Sequence, residues 1–151
     1  TAVIAGTAEL SATRTVTIYD PSAAGLYMTP GNDVIVSILA QNIGDIAADA
    51  DSIEIIDEIS GQMQFYNDTT LELGNAVIGW SETNSDLTFS DGIDVGFSDA
   101  ASKPASFAAC SYTPLSGYDP AVSYICFNPK GAMAAGDPNP WFMLQYRARI
   151  E

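Results

Sequence analysis

The sequence predicts an all-β protein, an antiparallel β-sandwich with an extension strand at its N-terminus. Three observations carry that prediction. Runs rich in Thr, Val, Ile, Tyr and Phe alternate apolar and polar residues with a period of two, as half-buried strands do. Gly, Pro, Asn and Asp interrupt these runs at short intervals and supply turns. Apolar residues at helical spacing are scarce. A chain of 151 residues fits one domain and buries roughly 68–70% of the surface its unfolded form exposes, so a core can form without a metal.

The N-terminal run is the longest. Ala2, Ile4, Gly6, Ala8, Leu10 and Ala12 share one face, Val16 and Ile18 continue it, and Arg14 interrupts it. At about 3.3 Å per residue, residues 1–19 would stretch about 60 Å, longer than a sandwich of this size covers. The run must divide. A domain strand from about Leu10 to Tyr19 belongs to a single domain, residues 10–151, and residues 1–9 form an extension. Such a segment either pairs inside its own domain or adds a strand to a neighbouring subunit.

Residues 33–41 come next, with Val34, Val36, Ile38 and Ala40 on one face and Ile35 and Leu39 on the other. Two apolar faces mark a central strand. Short strands follow at 52–59, 62–66, 76–80, 87–89, 95–97, 107–112 and 122–127, separated by turns at Pro30-Gly31-Asn32, Ser60-Gly61, Asn67-Asp68, Ser116-Gly117 and Asn128-Pro129. In the last strand, 141–150, Phe142, Leu144, Tyr146, Ala148 and Ile150 face one way, and Gln145, Arg147 and Arg149 the other.

The stretch from Pro30-Gly31-Asn32-Asp33 through Val34 to Ile38, then Gln41-Asn42-Ile43-Gly44, then Ala47 to Asp51 and Ile55-Ile56-Asp57-Glu58-Ile59, resembles the conserved-repeat Ig-like domain of bacterial surface proteins. The likeness runs over residues 30–66. It implies an Ig-like sandwich and a place on the cell surface, and it carries no catalytic residues. Members of that family serve as stalks, adhesins or assembly modules.

Charge narrows the partners. The chain holds 19 acidic and 5 basic residues, for a net charge of -14. Nucleic acid and anionic membrane surfaces require a basic footprint, so neither is an expected partner. No apolar run approaches the ~20 residues of a membrane-spanning helix. The sequence opens at Thr1 without a leader, which is expected of a secreted protein whose signal has been removed. Cys110 and Cys126 flank a turn-rich segment inside two strand-like runs, the arrangement of a disulfide in an oxidising compartment; two buried thiols are the plainer alternative.

No histidine is present to act as a base, and oxidised cysteines cannot be nucleophiles, so no enzymatic activity is expected. Calcium would suit the hard oxygen donors of Asp45, Asp49 and Asp51 in one loop and of Asp86, Asp91, Asp94 and Asp99 in another. Neither group has the spacing of a known calcium loop, and aspartates also favour turns for their own sake. No other cofactor is indicated. Trp80, Trp141, Tyr112, Tyr118 and Tyr124 are the aromatic residues a surface glycan would stack on, though such side chains also fill cores. Asn67-Asp68-Thr69 is a formal glycosylation acceptor.

Arg14, Arg147 and Arg149 make up three of the five basic residues. Arg147 and Arg149 share a face, where they can set the register of a contact with an acidic partner or blunt a sheet edge. The expectation is an extracellular filament or appendage, a homopolymer built by strand donation. Ala2, Ile4, Gly6, Ala8 and Leu10, with Arg147 and Arg149, are its candidate interface residues. The alternative is a monomeric adhesin or carbohydrate-binding module in which the same N-terminal residues pair within the domain.

Overall fold

The computed structural model describes residues 6–19 and 28–151. Nine strands are found among them: β1 (Leu10–Ile18), β2 (Asp33–Asn42), β3 (Ile55–Glu58), β4 (Met63–Asn67), β5 (Ile78–Thr83), β6 (Val95–Ser98), β7 (Gly117–Asp119), β8 (Tyr124–Phe127) and β9 (Trp141–Ile150). They form two antiparallel sheets. The larger runs β1-β2-β9-β4-β7, with β5 also pairing β9, and the smaller runs β3-β8-β6. The protein is an all-β sandwich with no α-helix among the described residues.

The core follows from period-two patterning placed in register. Val34, Val36, Ile38 and Ala40 of β2 lie directly opposite Ala148, Tyr146, Leu144 and Phe142 of β9. All eight are at most 4% exposed, so the ladder sets a block of apolar side chains on one face. Ile125 and Phe127 of β8 close over it from the smaller sheet. Aromatic rings tie the layers together: Phe142, Trp80 and Phe89 stack in sequence at 5.2 and 5.3 Å between centroids, and Phe65 meets Phe97 at 5.1 Å.

Arg14, the residue that breaks the N-terminal apolar face, points between the sheets. Its Nε donates to Asp57 Oδ1 on β3 at 3.0 Å, and the Tyr146 hydroxyl donates to Asp57 Oδ2 at 2.6 Å. The interruption in the sequence is thus a polar bolt between the two sheets at the β1 edge. Burial pushes the Tyr146 phenol far above its ordinary value, and the neighbouring Asp57 charge adds to that shift.

The short elements differ from the strands their sequence predicts. Residues 87–89 are not a strand: only Thr88 bridges Lys130, and Leu87 and Phe89 pack on the core from a loop. Their alternation reflects burial without a ladder. Residues 107–112 contain a 3-10 turn, Phe107–Ala109, and isolated bridge positions at Ser111 and Tyr112, the latter paired with Phe97. The Ser116-Gly117 turn leads at once into β7, which pairs β4. Asp119 stabilises that short strand, because its carboxylate accepts from Leu115 N, Ala121 N and the Tyr112 hydroxyl.

A second, smaller apolar cluster covers the outer face of the β3-β8-β6 sheet, where Cys110, Tyr124 and Cys126 pack with Ile56 and Phe107. Cys110 and Cys126 are joined in a disulfide. Cys110 reaches Cys126 by lying against Gly96 of β6, where an added Cβ would stand 2.6 Å from the Cys110 carbonyl oxygen. Only glycine leaves room there.

Candidate subunit interface

The segment that enters β1 is clamped where it crosses the loop after β2. Asn42, fully buried at the end of β2, is the centre of the clamp. Its Nδ2 donates to Ile46 O at 2.9 Å and Ala134 O at 3.1 Å, while its Oδ1 accepts from Gly44 N at 3.0 Å and Glu9 N at 3.3 Å. The backbones pair as well: Ile43 N donates to Glu9 O and Asp45 N to Thr7 O. The Asp45 carboxylate accepts from Thr7 N at 2.6 Å.

Gly44 makes the crossing possible. A Cβ there would lie 2.1 Å from Thr7 O and 2.5 Å from Glu9 N, and both are backbone atoms. Gly6 is confined by side chains alone, with an added Cβ 2.5 Å from Ile46 Cγ2 and 2.9 Å from Asp45 Oδ1. Gly6 thus packs against side chains of its own 45–46 loop. Of the extension, residues 6–9 are held to their own chain by the clamp, and the run continues into β1 from Leu10. Of the candidate interface residues, Gly6, Ala8 and Leu10 lie at the clamp, and Ala2 and Ile4 lie outside the described residues.

Beside the clamp a groove of about 430 Å³ opens among Ala8, Leu10, Ile46, Ala47 and Ala48. Leu10, Ile43 and Ile46 are 44–47% exposed, so the pole where the N-terminal segment emerges is apolar as well as acidic.

Arg147 and Arg149 lie near the other end of β9. Both pair with Asp33, Arg149 Nε at 2.8 Å from Oδ1. The Tyr118 hydroxyl donates to Asp33 Oδ2 at 2.6 Å. The Arg147 guanidinium sits over the rings of Tyr19 and Tyr66, at 4.3 and 4.1 Å, and Arg149 over Tyr118 at 3.8 Å, where cation–π attraction adds to the ion pairs. Burial alone raises the Asp33 carboxyl, but hydrogen bonds from Tyr118, Arg149 and Arg147 outweigh it and hold the group below its ordinary value. Both arginines are engaged inside the chain, and the Arg149 side chain is still 41% exposed.

The aspartates of the 45–51 loop do separate local jobs. Asp45 caps Thr7, while Asp51 adopts φ +58° and accepts from Gly131 N at 2.7 Å. Among the described residues no group of three or more His, Cys, Asp or Glu side chains is placed to hold a metal ion. Trp80 and Tyr124 face the apolar clusters, and Tyr118 belongs to the arginine stack. The Asn67 side-chain nitrogen donates to Pro114 O and Leu115 O.

Sequence reasoning reached Asn42 and Gly44 only as part of a turn motif, and it did not connect them with residues 6–9. The signal that an Asn-x-Gly turn gives is local, whereas the clamp is a contact across more than thirty positions. No helix among the described residues is long and apolar enough to cross a membrane. No family model, curated protein or solved structure matches the chain.

Proposed function

We propose that this chain is a structural subunit of an extracellular filament or surface appendage, joined head to tail by its N-terminal segment, with no catalytic role. The observation that carries this reading is the clamp. Asn42, Gly44 and Asp45 hold Gly6 to Glu9 and so fix the point from which residues 1–5 depart. Those residues continue the apolar alternation through Ala2 and Ile4. A strand added to a neighbour gains main-chain hydrogen bonds and side-chain pockets together, and a contact of this kind that does not close into a ring gives a filament. The disulfide and the scarcity of lysine suit an exposed extracellular polymer.

Charge sets a condition on assembly. Copies carrying -14 each repel at low ionic strength, and salt shortens the range of that repulsion to about 8 Å at 0.15 M. Polymers form more readily as salt is raised toward that value. One observation favours a second reading, a monomeric adhesin or glycan-binding module: the groove beside the clamp lies close enough for residues 1–5 to fold back onto their own chain. Deletion of residues 1–5 separates the two. A filament subunit keeps its fold, because the clamp retains Gly6 to Glu9, and stops polymerising when viewed by electron microscopy. A module with its segment folded back is monomeric before the deletion and less stable after it.

A further inference from the structure

Strand β9 is shared along its length: Trp141 to Tyr146 pair with β5, and Ala148 to Ile150 pair with β4, which then turns aside to pair β7. Where β4 and β5 part, a cleft of about 230 Å³ opens toward β6. It is lined by Asn67, Val77, Asp91, Gly92, Val95 and Phe97. The apolar wall comes from Val77, Val95 and Phe97, and the polar rim from Asn67 and Asp91. Asp91 already accepts from Val77 N at 3.0 Å.

The exposed apolar side chains point to the same place. Apart from Met28, the large ones among the described residues fall into two groups. Leu10, Ile43 and Ile46 surround the clamp. Leu71, Ile93 and Leu115, exposed by 71%, 73% and 66%, lie on segments next to those that line the cleft. The Leu115 carbonyl is bonded to Asn67, Ile93 adjoins Gly92, and Leu71 follows Thr70, whose bridge to Ala76 brings it beside Val77. Exposed apolar side chains gathered near one cleft suit an interaction site better than the same residues scattered singly.

The two groups lie on opposite sides of the sandwich. The clamp is beside β1, one edge of the larger sheet, and the cleft is beside β5 and β7 at the other. Surfaces so placed cannot meet within one copy, and a contact between copies that joins them is heterologous and propagates.

Building on the strand-donation reading, we propose that the cleft between β4, β5 and β6 is the acceptor site, and that its occupant is residues 1–5 of the next copy. Five extended residues reach about 17 Å beyond Gly6, enough to enter a neighbour docked against the clamp. Ile4 fills the wall of Val77, Val95 and Phe97, and Ala2, two residues earlier on the same face, lies toward the rim. Leu10, Ile43 and Ile46 of the donor then cover Leu71, Ile93 and Leu115 of the acceptor.

The test mixes an Ile4→Cys variant with an Ile93→Cys variant at physiological salt and adds a short bismaleimide, which spares the Cys110–Cys126 disulfide. A heterodimeric product that appears only in the mixture supports the assignment. In parallel, Ile93→Asp, at a position 73% exposed, leaves the fold intact and abolishes filaments. Filaments that form without the cross-link and tolerate Ile93→Asp overturn the acceptor assignment and leave strand donation standing. Absence of filaments from the unmodified protein at any salt overturns both.

Discussion

Strands β1 and β2 are neighbours in one sheet and share an alternating apolar pattern, but their surroundings are opposite. Val34, Val36, Ile38 and Ala40 of β2 are at most 4% exposed, while Leu10 of β1, with the same pattern, is 45% exposed. The cause is coverage. The smaller sheet has three strands against six, and it meets β1 at Arg14 through Asp57. Alternation therefore fixes which way a side chain points and leaves open whether anything covers it. The uncovered stretch of β1 is the part nearest the clamp, the surface that the proposed head-to-tail contact would bury.

Five substitutions break or sharpen this contrast, from the largest effect to the smallest. Leu144→Ala on β9 empties the space facing Ile38 and costs about 3 kcal/mol, within the range for buried leucines, as read from urea unfolding. Asp33→Asn leaves Arg147 and Arg149 without their shared carboxylate. Removing one partner of a buried ion pair costs about 3 kcal/mol, discounted here because Arg149 is partly exposed.

That variant also changes the pH response. The folded Asp33 carboxyl lies below its ordinary value, so its contribution is complete above about pH 4 and is lost as the pH falls through the lowered folded value. The unmodified protein loses stability over that acidic window, and Asp33→Asn loses less, as unfolding at a series of pH values will measure.

Gly96→Ala drives a methyl into the Cys110 backbone and costs about 2 kcal/mol, measured by the same unfolding assay. Gly44→Ala collides with Thr7 and Glu9. It costs about 1 kcal/mol and releases the clamp, so hydrogen exchange quickens at Ile43 and Asp45, whose amides are bonded to that segment. Leu10→Ala changes stability by no more than about 0.5 kcal/mol, as at other surface positions, but weakens assembly in sedimentation experiments. The contrast between Leu144 and Leu10 would vanish if β1 were as covered as β2.

Much of the fold was legible because the long strands carry enough alternation to declare themselves. The inward sets of β2 and β9 could be named residue by residue, and the disulfide followed from two cysteines with a turn-rich segment between them. Short elements were less legible. Leu87 and Phe89 alternate because both reach the core from a loop, and a three-residue strand such as β7 has too few positions to show a period. The clamp was the hardest to foresee. Asn42 and Gly44 sit in a recognisable turn, but their contacts with Thr7 and Glu9 depend on where a distant segment crosses. Arg147 and Arg149 were correctly placed on the outward face of β9, whereas their joint partner, Asp33, emerges only from the register of β2 against β9.

Chain termination tests strand donation most directly. Subunits lacking residues 1–5 keep an acceptor surface and cannot donate, so adding them in increasing proportion to the unmodified protein caps growing polymers. The account predicts that mean filament length in electron micrographs falls steadily with their mole fraction, and that the truncated subunit alone stays dispersed. Filaments of unchanged length, or filaments formed by the truncated subunit itself, would contradict it.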